Sequence, residues 1–105
     1  MTRRAAFLAL LVAGVAGCDP VPLRHEVEIR DLAFGPAVLE VAVGDTIAWS
    51  NRDMFPHTAT ADGAAGWDTG PIPADSTRTA VARRAGTFTY VCQVHPTMRG
   101  QVIVR

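Results

Sequence analysis

The sequence contains no lysine; all ten of its Lys/Arg positions are arginine, against ten Asp plus Glu. It has no GxxxxGK(S/T) phosphate loop and no GxGxxG fingerprint, so the common nucleotide-binding chemistries are excluded. It has no basic cluster of the kind a phosphate backbone demands, so nucleic acid is excluded as a partner. Its longest apolar stretch, Ala5 to Val12, is too short to cross a ~30 Å hydrocarbon core as a helix. A multi-pass membrane protein is thereby ruled out. Cysteine is scarce, with Cys18 and Cys92 alone. At 105 residues there is room for one domain.

What is present begins with an address. Arg3 and Arg4 precede the apolar stretch, and small residues follow as far as Gly17. That is the layout of an export signal over residues 1–17. Val15-Ala-Gly-Cys18 resembles the lipobox of bacterial lipoproteins, in which cleavage precedes the cysteine and its thiol is acylated. The expected mature chain therefore starts at Cys18 and is anchored to the membrane by lipid outside the cytoplasm. Two or more acyl chains make such an anchor stable. Removing residues 1–17 leaves 88 residues with eight Arg against ten acids, a formal charge of −2. Pro20 and Pro22 exclude helix from the segment that follows, so residues 18–25 read as the lipidated cysteine and a tether. His25, placed in that tether, is expected in solvent.

The domain proper is expected over residues 26–105, and its period is two. Val27 and Ile29 alternate with polar neighbours, as do Leu39, Val41 and Val43, Ile47 and Trp49, Thr79 and Val81, and Phe88, Tyr90 and Cys92. Each set is the apolar face of a half-buried strand. Gly35-Pro36, Gly44-Asp45, Asp62-Gly63, Gly70-Pro71 and Ala85-Gly86 separate them as turns. The expected fold is all-β, a small Greek-key β-sandwich of seven to eight strands. Trp49 and Trp67 are expected to pack within it. A sandwich of this size has a thin stability margin, and one cysteine in the domain cannot form a disulfide. A bound metal could serve as the staple.

The ligands for one are present. Tyr90-Val-Cys92-Gln-Val-His95-Pro-Thr-Met98-Arg-Gly100 offers a thiolate, an imidazole and a thioether where one strand hands over to the last, expected to begin at Val102. Asn51-Arg-Asp-Met-Phe-Pro-His57-Thr58 offers a second imidazole at another strand end. Cys92, His57, His95 and a weak axial Met98 form the blue-copper ligand set. Thiolate and thioether suit Cu(I), and imidazole suits both oxidation states. Zinc is the chemical competitor, but it favours paired cysteines and leaves Met98 without a use.

These motifs resemble the cupredoxins, and within them the amicyanin-like branch with the short Cys-x2-His-x2-Met loop. Ile47-Ala-Trp-Ser-Asn51, Trp67-Asp-Thr-Gly70 and Ala85-Gly-Thr-Phe-Thr-Tyr90 extend the resemblance from about Val27 to Val104. It implies one copper ion held by His57, Cys92, His95 and Met98, cycling between Cu(II) and Cu(I). It also implies a non-enzymatic, monomeric carrier of single electrons between redox protein partners. Met54, Phe55 and Pro56 would then form an apolar rim near His95. A copper-delivery lipoprotein using the same ligands is the alternative, and a metal-free sandwich leaves the four residues unexplained. One position departs from the family. Asn often follows the first histidine and ties the two ligand loops together, whereas this chain has Thr58.

Overall fold

The computed structural model describes residues 21–105, so the export signal, Cys18 and the start of the tether lie outside the described residues. Eight strands follow in order: β1 Arg24–Arg30, β2 Ala33–Gly35, β3 Val38–Val41, β4 Thr46–Asn51, β5 Thr60–Ala61, β6 Thr77–Val81, β7 Gly86–Val91 and β8 Arg99–Val104. One short 3-10 turn, Gly63–Ala65, interrupts the run between β5 and β6. No helix among the described residues is long and apolar enough to cross a membrane. The strands form two four-stranded sheets, β2-β1-β4-β6 and β3-β8-β7-β5. Two pairings are parallel, β1 with β4 and β3 with β8. The expected all-β sandwich is the observed architecture.

Alternation explains the core. Val27 and Ile29 from β1, Ile47 and Trp49 from β4, and Tyr90 and Val102 from β7 and β8 are all at most 1% exposed. Trp49 lies against Trp67 at 5.1 Å and against Tyr90 at 5.5 Å between ring centroids. Phe34 meets Tyr90 edge-on at 4.6 Å, a favoured aromatic geometry. Burial pushes the Tyr90 phenol up to about 12, so it stays neutral.

The structure corrects four local expectations. The last strand begins at Arg99 rather than Val102, because Arg99 and Gly100 already pair with Val91 and Tyr90. Gly100 is what permits this: a Cβ there would collide with the Tyr90 ring and hydroxyl. Gly100→Ala is accordingly expected to cost about 3 kcal/mol by overpacking, read as a lowered urea midpoint with unchanged slope. Val43 is not on a core face; it is 51% exposed in the turn after β3, where Gly44 takes φ +98°. Thr79 is exposed and Val81 only partly buried, because β6 is an edge strand.

His25 is the fourth correction. The prolines before it leave an extended chain, and an extended chain is also what pairing needs. His25 therefore lies within β1, in register with Ile47. Its side chain is 22% exposed, and its Nε2 lies 2.8 Å from Asp45 Oδ2. Asp45 also accepts the backbone N–H groups of Leu23 and Ala42, each at 2.9 Å. Those two N–H groups, with His25, lower the Asp45 carboxyl to about 2. A depressed folded-state value stabilises the fold above the ordinary 3.8 and is lost as pH falls through about 2. The copper-free protein should therefore lose urea stability between pH 4 and 2. Asp45→Asn should lose less over that window, so the two curves converge on acidification.

Candidate metal centre

The site is built where the strands of both sheets end. Asn51 closes β4 with a fully buried side chain. Its Nδ2 donates to the carbonyls of Phe55 and Ile72, and its Oδ1 accepts the Asp53 N–H, all at 2.9 Å. This one amide shapes the loop that carries His57. The loop is then held by the pair of bonds between His57 and Ile72, 3.2 Å and 2.7 Å long.

Asp53 performs a second fixing step. Its carboxylate accepts the N–H groups of Asp31 and Leu32 at 2.7 Å and 3.0 Å. Those residues form the β1–β2 turn with φ of +53° and +60°, a region that side chains rarely adopt. The same carboxylate accepts from His57 Nε2 at 2.8 Å. Burial pushes the Asp53 carboxyl up, but the bonds from Leu32, His57 and Asp31 outweigh it and hold the group below its ordinary value. With Nε2–H committed to Asp53, the His57 tautomer leaves Nδ1 as a lone pair facing inward, an orientation typical of histidine ligands.

That lone pair meets two further donors. Cys92 Sγ is 3.6 Å from His57 Nδ1, and His95 Nδ1 is 3.3 Å from it. The donor atoms of His57, Cys92 and His95 all lie within 4.8 Å of one another. His57 and Cys92 are fully buried and His95 is partly exposed. The loop from Cys92 to Met98 is closed by the Met98 N–H donating to the His95 carbonyl at 2.9 Å. The Cys92 N–H donates in turn to the Met98 carbonyl at 3.2 Å. Met98 itself is 3% exposed.

Thr58 joins the two ligand loops. Its N–H donates to Cys92 Sγ at 3.3 Å, and its Oγ1 accepts the Gln93 N–H at 2.9 Å. The cross-loop side-chain tie that the departure from Asn left open is thus made by a threonine hydroxyl. A soft sulfur accepting a single N–H, beside two inward imidazole nitrogens, suits a thiophilic ion of low coordination number. The residues present fit copper.

The sequence reading placed His57, Cys92, His95 and Met98 as ligands; the structure brings the donor atoms of the first three together and buries Met98 at the end of the same loop. It missed Asp53, whose role depends on a turn more than twenty residues earlier in the chain. An acid four residues before a ligand histidine was the available signal. Around the site, Met54 is 92% exposed, Val94 52% and Phe55 43%. The Phe55 ring lies 5.4 Å from both histidine rings.

A two-sheet sandwich with a Cys-His-His cluster at one end defines a mononuclear metalloprotein of cupredoxin architecture. Residues 21–105 match the copper binding proteins of the plastocyanin/azurin family, and the chain belongs to that family. Copper is its cofactor. Amicyanin of Paracoccus denitrificans is 34% identical over 82 residues, 74% of this chain. The chain spans 63% of that relative's length, a little under two thirds. Amicyanin of Paracoccus versutus is 30% identical over 86% of this chain and 71% of its own length. Among solved structures, a Cu(I) amicyanin variant superimposes with a TM-score of 0.69 at 29% identity, covering 86% of this chain and 88% of the other. A purple cupredoxin of Nitrosopumilus maritimus gives 0.70 at 24% identity, over 77% and 99%, a likeness of fold.

Proposed function

We propose that this chain is a mononuclear copper protein that carries single electrons between redox proteins outside the cytoplasmic membrane. Its acylated Cys18 would hold it there as a monomeric lipoprotein, with no catalytic residue of its own. The observation that carries the reading is the fixed donor set. His57 is locked by Asp53, the Cys92 sulfur is held by the Thr58 N–H, and both side chains are closed to solvent. Bound copper would supply a one-electron couple, and Met98 would offer a thioether donor beside His57, Cys92 and His95.

The chain's residues do the rest. Buried His57 and Cys92 would keep water from a bound copper ion. The Asn51 and Thr58 bonds restrain the loops, so that little moves when the charge changes. His95, the partly exposed ligand, offers a route to the surface, and Met54, Phe55 and Val94 around it form an apolar rim on which a redox partner can dock.

The test is electrochemistry with a chelator challenge. A carrier shows reversible one-electron cycling and keeps its copper against a soluble Cu(I) chelator for hours. A delivery protein surrenders it in seconds, and that result would overturn the reading. Met98→Gln bears on the axial role. A harder oxygen donor favours Cu(II), so the potential should fall while copper stays bound; an unchanged potential would remove Met98 from the site.

A further inference from the structure

The end of the sandwich opposite the metal loops has its own character. Four pieces of chain meet there. The N–H of Thr46 donates to the Leu23 carbonyl at 2.9 Å, Val43 to Arg105 at 3.1 Å, and Gly44 to Ala82 at 2.7 Å. The entry to β1, the β3–β4 turn, the β6–β7 loop and the end of β8 are thereby stitched into one surface. On it Val21 is 78% exposed, Leu23 61% and Val43 51%, and they line a shallow cleft with Pro22, Ala42 and Asp45. Arg83 and Arg84, both exposed, directly follow Ala82, whose backbone is bonded to Gly44 and Asp45 at this end. Among the described residues neither arginine pairs with a carboxylate. Arg24 and Arg105 by contrast hold Glu26 at 2.6 Å and Glu40 at 3.0 Å, and Asp45 is turned inward to His25.

We propose that this end is a seat for an anionic lipid surface, which orients the metal loops away from the membrane. The inference rests on the lipoprotein reading above and gives it a geometry. Cys18 stands three residues before Val21, and three residues reach about 10 Å at most. An acyl chain on Cys18 therefore holds this end, and not the metal end, close to the headgroups. Arg83 and Arg84, in the loop stitched to the same end, are thereby turned towards the negative surface, whose field decays over a Debye length of ~8 Å at physiological salt. Val21, Leu23 and Val43 supply apolar contact at the interface. His95 and its rim are left facing the space where a soluble partner diffuses.

The test uses the segment from residue 18 onward, which contains both sheets and the whole site, carrying Cys18→Ser so that no acyl chain contributes. It is co-sedimented at low salt with vesicles of phosphatidylglycerol and phosphatidylcholine, and with vesicles of phosphatidylcholine alone. Binding is expected to the anionic vesicles only, and to weaken with salt. Arg83→Ala with Arg84→Ala should reduce it about twenty-five-fold, roughly fivefold per arginine. Arg52→Ala with Arg78→Ala, an equal charge change elsewhere on the surface, should change it less than twofold. Absence of binding, equal loss in the two pairs, or a concentration-dependent dimer that buries Val21, Leu23 and Val43 would overturn the proposal. The mass of wild-type protein extracted from membranes reads the anchor separately. Acylation without arginine-dependent binding sinks the seat and keeps the anchor, whereas binding without acylation does the reverse.

Discussion

Cys92→Ser should abolish the intense visible absorption of the copper-loaded protein and leave the sandwich folded. The colour of such a site comes from charge transfer between a thiolate and Cu(II), and a serine hydroxyl is neither soft nor ionised at neutral pH. The fold should survive, because the residue directly follows β7 and owes its place to backbone bonds. Its N–H still reaches the Met98 carbonyl, and a hydroxyl oxygen can still accept the Thr58 N–H now bonded to sulfur. Far-UV circular dichroism should be unchanged while the visible band disappears. A band of undiminished strength in the variant would remove Cys92 from the metal.

Copper should also raise the melting temperature by roughly 15–30 °C. The donors come from different sheets: His57 follows β4 in one, and Cys92, His95 and Met98 join β7 to β8 in the other. A bound ion is therefore a cross-link between layers that exists in the native state alone. A ligand present at a thousand times its dissociation constant stabilises by about 4 kcal/mol. In a domain of this size each kcal/mol shifts the midpoint by about 4–8 °C. Calorimetric scans with and without one equivalent of copper test this, with Cys92→Ser as the control that should shift far less. Equal midpoints would mean that the loops are as firmly held without the ion.

The two results probe a site that the sequence disclosed unevenly, for a physical reason. Cys92, His95 and Met98 share one short loop, so their spacing is visible in the chain, and the meeting of Cys92 with His95 is dictated locally. His57 joins them through sheet topology, and the sequence indicated it by chemistry rather than position. Asp53 depends on the β1–β2 turn coming within reach of its carboxylate, which no local pattern encodes. The strands behave likewise. Val27, Ile29, Ile47 and Trp49 were legible because alternation marks the buried face of a strand. Thr79 and Val81 alternate just as well, yet β6 closes the edge of its sheet and leaves them open or half-covered. Exposure at an edge is decided by strand order, which periodicity does not carry. His25 was misplaced because prolines announce extended chain without saying whether it pairs. In the fold it pairs with β4, and Asp45 completes the join.

The most direct measurement is a titration of the purified domain with Cu(II), followed in the visible. A thiolate-to-copper band that rises linearly, stops at one equivalent, bleaches on one-electron reduction and returns on reoxidation is the predicted result. A pale site without that band, or one that continues to fill beyond one equivalent, would contradict a single copper held by His57, Cys92, His95 and Met98.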